Sequence, residues 1–191
     1  MNKYTFLKQV ENRVLWLSCW MIHNANHIRE NQDGLKVGGH QASSASIVSI
    51  MTALYFNILK PEDRVAVKPH ASPVFHAIQY LAGLQTKEKI QNFRGFGGAQ
   101  SYPSRTKDVD DVDISTGSVG LGVAMTSFMS LIQDYILKKQ FGKDIPKGRM
   151  IALVGDAELD EGNVYECLQE GWKHDLRNVW WIIDYNRQSL D

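Results

Sequence analysis

Cysteine is nearly absent from this chain: Cys19 and Cys167 are the only two in 191 residues. Two isolated cysteines make no disulfide framework. Both lie in apolar, helix-like stretches, so buried thiols are expected. No run of about 18 apolar residues occurs, which excludes an apolar membrane-spanning helix from the expectations. No charged-then-apolar leader with a small-residue cleavage site is found either, and a cytoplasmic location is the expectation. Neither sign of charge is in excess, because 21 Lys and Arg balance 21 Asp and Glu. Contact with nucleic-acid phosphates needs a basic surplus, so a general nucleic-acid binder is not expected. Internal repeats and low-complexity segments are also missing. What is present is 43% hydrophobic and 22% charged. That is the balance of a globular domain long enough to bury a core.

Apolar residues recur at three- and four-residue spacing over 4–30, at Val10, Val14, Leu17, Met21 and Ile22, which predicts a helix. The same spacing predicts a second helix from Ser43 to Ile58. A short strand is expected at 64–68. It leads into Pro69-His70-Ala71-Ser72-Pro73, with Ser72 as helix cap and Pro73 in the first turn. Thr86 is expected to cap a short helix. Residues 94–113 form a long irregular stretch, and such loops in compact domains usually carry function. Its charge run, Lys107 to Asp113, lacks the spacing of a calcium loop and reads as a solvated face. A long helix follows Gly117-Ser118-Val119-Gly120-Leu121-Gly122. Then come a buried apolar strand at 150–154, a helix at 160–172 and a second buried strand at 179–183. Continuous apolar strands alternating with helices argue α/β, with a parallel sheet covered by helices on both faces.

The informative segment is Val154-Gly155-Asp156-Ala157-Glu158 and, after a helix and a strand, Asp184-Tyr185-Asn186-Arg187-Gln188. Ligands of open parallel sheets sit outside the carboxyl ends of the strands. Asp156 and Asn186 fall just past two such ends. A carboxylate and an amide oxygen are hard ligands of the kind Mg²⁺ takes, with phosphate oxygens and water completing six. A loop carbonyl, best assigned to Gln188, is a third protein ligand. Gly155 allows close approach of a phosphate to the backbone. The spacing alone leaves open that these are two unrelated loop residues. Residues 117–122 could be read as a dinucleotide fingerprint, but no convincing strand precedes them.

Gly155-Asp156-Ala157 with Asn186 thirty positions on resembles the thiamine-diphosphate signature. Other segments agree in order: Gly38-Gly39-His40, His70-Ala71-Ser72-Pro73, Ser101-Tyr102-Pro103, Ser118 to Gly122, Glu158-Leu159-Asp160-Glu161, and Asn186 to Asp191. From about residue 37 onward the chain resembles the transketolase-like thiamine-diphosphate-dependent enzymes, and within them most closely the homodimeric pyruvate dehydrogenase E1 branch. Ala157 departs from the usual third Gly; if that position needed a positive φ, the cost would be on the order of 1 kcal/mol. Tyr102-Pro103-Ser104-Arg105 lacks the histidine found there in both branches, which leaves the substrate open.

The resemblance implies a diphosphate-binding domain over residues 1–191, incomplete at its C-terminal side, with a helical segment at 1–36. It implies thiamine diphosphate and Mg²⁺ as cofactors, the cation held by Asp156, Asn186 and the Gln188 carbonyl. Gly155, Ala157 and Glu158 border the diphosphate. Ser118, Val119 and Gly120 border the aminopyrimidine, contacted by the Val119 backbone. His40 and His70 line the substrate channel and Tyr102 reaches the substrate side. Taken singly, each has a blander reading as a satisfied loop or packing residue. For Glu158, Asp160 and Glu161 that reading is a helix N-terminus, worth about 0.3–1 kcal/mol each; the resemblance implies for Glu161 a water channel between the two sites of a dimer. The implied activity is decarboxylation of a 2-oxoacid with acyl transfer to a lipoyl carrier, in a homodimer that partners a lipoyl-bearing acyltransferase. The alternatives are two-carbon ketol transfer between sugar phosphates, and a non-catalytic protein that keeps the fold. The Glu that activates the cofactor belongs to another domain in this family, so residues 1–191 alone are expected to be inactive. With the edge of the last strand bare, they are also expected to self-associate.

Overall fold

The computed structural model describes residues 2–31, 34–142 and 144–187. The chain forms two compact units, one of residues 1–59 and 69–112, the other of 60–68 and 113–191.

The first unit is helical. Helix α1 (Lys3–His23) starts at Asn2, whose side chain accepts the Tyr4 N–H, and buries Val14, Leu17, Met21 and Ile22. Helix α2 (Gln41–Ala53) turns Ile47, Val48 and Met51 inward. Both run on into one wider π-turn, at Asn24–Ile28 and Leu54–Ile58. Helix α3 (Ser72–Leu81) is almost wholly buried, and α4 (Lys87–Gln91) is capped by Thr86, which accepts the Lys89 N–H. Ser72 is not the cap expected of it. It lies inside the first turn, and its hydroxyl donates to the Ser101 carbonyl at 2.5 Å instead. The acidic run is not a solvated face either. Asp108 accepts the N–H groups of Gln100 and Ser104, and Asp110 is buried against His76. Its last member, Asp113, belongs to the second unit and accepts the Val65 N–H at 2.9 Å.

The second unit is the sheet. Strands β1 (Arg64–Ala66), β2 (Met150–Gly155) and β3 (Val179–Asp184) are parallel, in that order, and Gly155 stands level with Asp184. The α/β, parallel expectation holds, but β3 is not the buried strand expected. Of its residues only Asp184 is buried, and Trp180 and Ile183 are exposed, because no strand pairs with its outer edge among the described residues. Helix α5 (Leu121–Lys138) lies on the sheet; with α6 (Gly162–Lys173) it buries Val123, Val164 and Cys167 against Ala152 and Val154. Ile151 and Leu153, on the opposite face of β2, are buried as well. Cys19 and Cys167 are free thiols, as expected, but only Cys167 is buried; Cys19 is half-buried. No helix among the described residues is long and apolar enough to cross a membrane.

The amino end of the sheet is pinned by Asp63. Its carboxylate accepts from the N–H groups of Lys60 and Arg149, both at 2.8 Å, and from the Arg149 guanidinium, which stacks over Trp180. Burial works to raise the Asp63 pKa, but those hydrogen bonds outweigh it and hold the carboxyl at about 2, against an ordinary 3.8. A carboxyl depressed in the folded state stabilises the fold above its unfolded pKa, and that contribution is lost as pH falls through the folded value. Asp63→Asn therefore lowers stability at pH 7, by about 2 kcal/mol. In urea denaturation the gap between variant and parent closes as pH falls from about 4 towards 2. A gap that stays constant over that range contradicts the assignment.

Candidate functional site

At the carboxyl edge of the second unit, β2 ends at Gly155 and the chain enters a 3₁₀ turn, Asp156–Asp160. Asp156 is half-buried there, and its carboxylate accepts the Arg187 N–H at 2.8 Å. Arg187 reaches it from a left-handed backbone conformation, φ +56°. Asn186, also half-buried, stands two residues past the end of β3. Neighbouring strands are about 4.8 Å apart, and Gly155 is level with Asp184. Asp156 and Asn186 thus share one rim on adjacent strands. Gln188, the third expected ligand, lies outside the described residues. Ala157 sits within the 3₁₀ turn and is not among the residues with positive φ, so alanine carries no backbone strain there.

With Asp184, Glu158 is one of two buried acids at this edge. Its carboxylate accepts the Gly155 N–H at 2.6 Å and the Gly120 N–H at 3.3 Å. It therefore ties the turn after β2 to the Ser118–Gly120 turn that opens α5. Gly120 has φ +80°, a left-handed backbone conformation that favours glycine, and a Cβ there would stand 2.5 Å from the Asn163 Oδ1, so that side chain would also have to shift. Burial pushes the Glu158 carboxyl above its ordinary range, opposed by the two N–H groups and by the nearby Lys68 ammonium. The helix N-terminus reading of Glu158 is met at the 3₁₀ turn, where it accepts the N–H of the capping Gly155, but the side chain is 9% exposed and bonded to Gly120 as well, so it is more than a surface charge. Glu161 is exposed, at the start of α6.

Nothing in the sequence patterns singled out Lys68 or Asp184. Their side chains, 4% and 5% exposed, form an ion pair at 2.7 Å beside Asn186. A basic residue two positions past a short strand has no motif around it, and its partner is 116 residues away.

His40, His70 and Tyr102 belong to the first unit. The rings of His40 and His70 lie 4.3 Å apart between centroids, tilted by 38°. The loop before His40 is held by residues that the sequence patterns also missed. Asn26 pairs with the Gly38 backbone in both directions, at 2.9 and 3.0 Å, and Arg94 donates to the Val37 carbonyl at 3.1 Å. The Arg94 guanidinium also lies 6.0 Å from the centre of the Tyr102 ring. His76, given no role from sequence, anchors the loop that carries Tyr102. Its Nε2 is 3.0 Å from the Gln100 carbonyl, which can only accept, so that nitrogen carries a proton. Its Nδ1 is 2.7 Å from Asp110, and both side chains are fully buried. Donor atoms of His76, Asp108 and Asp110 come within 4.8 Å of one another; His76, both Asp108 oxygens and Asp110 Oδ2 are engaged with protein partners, as in a clasp, whereas Asp110 Oδ1 has no hydrogen-bond partner among the described residues.

Residues 37–191 match the family described as transketolase, thiamine diphosphate binding domain. The chain belongs to that family. It is 27% identical over 189 residues to the pyruvate dehydrogenase E1 component of Mycolicibacterium smegmatis, covering 93% of this chain and 20% of that protein. Over 160 residues it is 31% identical to transketolase-like protein 2 of Mus musculus, covering 78% of this chain and 24% of that protein. Among solved structures, transketolase from Leishmania mexicana superposes with a TM-score of 0.78 at 20% identity, over 93% of this chain and 27% of that one. The chain thus spans about a fifth to a quarter of the length of these relatives.

The rim of the second unit fits the family's cofactor. It offers two hard oxygen donors on adjacent strand ends, while the space a Gly155 side chain would take faces the Lys68 and Glu158 side chains. The Asn186 Nδ2 faces the Asp184 carboxylate at 3.4 Å, which leaves the amide oxygen as the group turned elsewhere.

Proposed function

We propose that this chain is the Mg²⁺–diphosphate-binding part of a thiamine-diphosphate-dependent enzyme that decarboxylates a 2-oxoacid and passes the acyl group to a lipoyl carrier. The observation that carries the proposal is the placing of Asp156 and Asn186 on one rim, in a chain whose residues 37–191 match the thiamine diphosphate binding domain. Asp156, Asn186 and the Gln188 carbonyl hold the cation, and Gly155, Ala157 and Glu158 border the diphosphate. The bound cofactor supplies a carbon nucleophile for a ketone carbon, chemistry that protein side chains lack. The protein's task is orientation and electrostatics. The carboxylate of Asp156 balances a dication that shares its site with phosphate. Ser118, Val119 and Gly120 face the aminopyrimidine, and the Glu158 bond to Gly120 fixes that turn against the diphosphate turn. His40, His70 and Tyr102 act towards the substrate, and Glu161 lines a path between two sites of a homodimer. A lipoyl-bearing acyltransferase is the macromolecular partner, and the protein works in the cytoplasm.

The 2-oxoacid reading is favoured by Gly38-Gly39-His40, Ser101-Tyr102-Pro103 and Asn186-Arg187-Gln188. The identity to a transketolase-like relative supports ketol transfer as the second reading. Turnover of pyruvate against xylulose 5-phosphate by the full-length protein separates them. Release of CO₂ from pyruvate, with no sugar-phosphate product, is expected. Ketol transfer alone would replace the reading by the second, and turnover of neither class of substrate would favour a non-catalytic protein.

A further inference from the structure

We infer that Lys68 is a positioning residue: acting through Asp184, it fixes the amide of Asn186 so that the oxygen, and not the NH₂, is presented to the cation. The inference rests on the proposal that Asn186 is a ligand of Mg²⁺. Lys68 follows β1, Asp184 ends β3, and β2 lies between those two strands. To reach Asp184 at 2.7 Å, the lysine must cross the end of β2. The crossing point is Gly155. The heavy atom nearest to a Cβ built there is Lys68 Cε, at 3.3 Å, and Lys68 Nζ is at 3.6 Å. That separation is tight but bearable, so the missing side chain leaves the lysine room to pass.

Burying two opposite charges to 4% and 5% exposure gains little stability by itself. The desolvation cost of such pairs consumes most of the attraction, and their best-attested use is to select one arrangement over another. Here the alternatives are the two flips of an amide. The Asp184 Oδ2 that takes the Lys68 ammonium also lies 3.4 Å from the Asn186 Nδ2. An ionised carboxylate can only accept, so it selects the NH₂ edge of Asn186 and sends the carbonyl oxygen to the opposite side. The flipped amide would set two acceptors face to face and point an NH₂ at a cation. Lys68 keeps Asp184 in place as that acceptor. A partner that orients a metal ligand in this way commonly contributes about 10–100-fold in affinity.

The test is calorimetric titration of Mg²⁺ into the full-length protein at fixed thiamine diphosphate, with melting temperatures measured without cofactor. Lys68→Met removes the donor and the charge, and weakens Mg²⁺ binding about 10–100-fold. Lys68→Arg keeps the charge and a donor long enough to reach Asp184, and recovers most of the loss. A purely structural role would make the two fall together, in step with their melting temperatures. Should Lys68→Met fail to fold, Lys68→Met/Asp184→Leu removes both buried charges at once, and it still lacks tight Mg²⁺ binding. Parental affinity in either methionine variant, or an arginine variant as weak as Lys68→Met, overturns the role of Lys68. Asn186→Ala separates that outcome from failure of the underlying reading: if it too binds Mg²⁺ at parental affinity, Asn186 is not a ligand at all.

Discussion

Asp156→Ala leaves the full-length protein folded and unable to retain thiamine diphosphate in the presence of Mg²⁺. Asp156 stands just past the end of β2, half-buried, and the bond its carboxylate accepts comes from a loop N–H, that of Arg187. It is not among the groups that hold the sheet together, so its loss costs the fold little. For the site the loss is large. A dication shared with a diphosphate needs an anionic oxygen from the protein, and an alanine leaves the cation short of both charge and ligand. The expected fall in cofactor affinity is at least about 100-fold, equivalent to about 2.7 kcal/mol. Asp156→Asn, which keeps an oxygen and loses the charge, falls between alanine and parent. Calorimetry that finds unchanged affinity in the alanine variant, with its circular dichroism intact, removes Asp156 from the site.

His76→Phe is the other change with a large expected effect, and it acts on the fold. The ring of His76 sits in a buried aromatic setting, edge-on to Phe75 and Phe93, so a phenyl group fits the space. What it cannot replace are the two polar bonds, to Asp110 at 2.7 Å and to the Gln100 carbonyl at 3.0 Å. Asp110 would be left as a fully buried carboxylate without that partner, and its Oδ1 already has no hydrogen-bond partner among the described residues. Removing one member of a buried pair typically costs about 3–5 kcal/mol. The loss falls on residues 94–113, which have no helix or strand of their own and are tied to α3 through this histidine and through Ser72. Limited proteolysis is therefore expected to cut that stretch first in the variant, with midpoint denaturant concentration lowered. The double change His76→Phe/Asp110→Leu recovers much of the stability, because it leaves no carboxylate behind. A single variant that resists protease and denaturant like the parent contradicts the clasp.

What the sequence made legible follows from the range of the signals. Val14, Leu17 and Met21 repeat at helical spacing, and Thr86 stands three residues before the N–H that it accepts; both are local patterns, and both elements formed. The uninterrupted apolar runs of β2 and β3 announced a parallel sheet, and the rule for its carboxyl edge brought out Asp156 and Asn186. Pairings between distant residues gave no such signal. Lys68 and Asp184, or His76 and Asp110, become neighbours only when strands and loop are assembled, and nothing in the flanking residues marks them. Ser72 lies one position inside the helix it is expected to cap for a related reason: its hydroxyl is taken by Ser101, across 29 residues, instead of by its own helix. The acidic run from Asp108 to Asp113 looked solvated because charge density was visible, whereas the backbone N–H groups and the histidine that consume it were not.

Titration of thiamine diphosphate into the full-length protein, with Mg²⁺ and then with EDTA, tests most directly whether the rim of β2 and β3 is a cation-bridged diphosphate site. The expected result is saturable binding with Mg²⁺ that disappears in EDTA and is not reproduced by thiamine, which lacks the diphosphate. Binding that survives EDTA, or thiamine binding as tightly as its diphosphate, would contradict it.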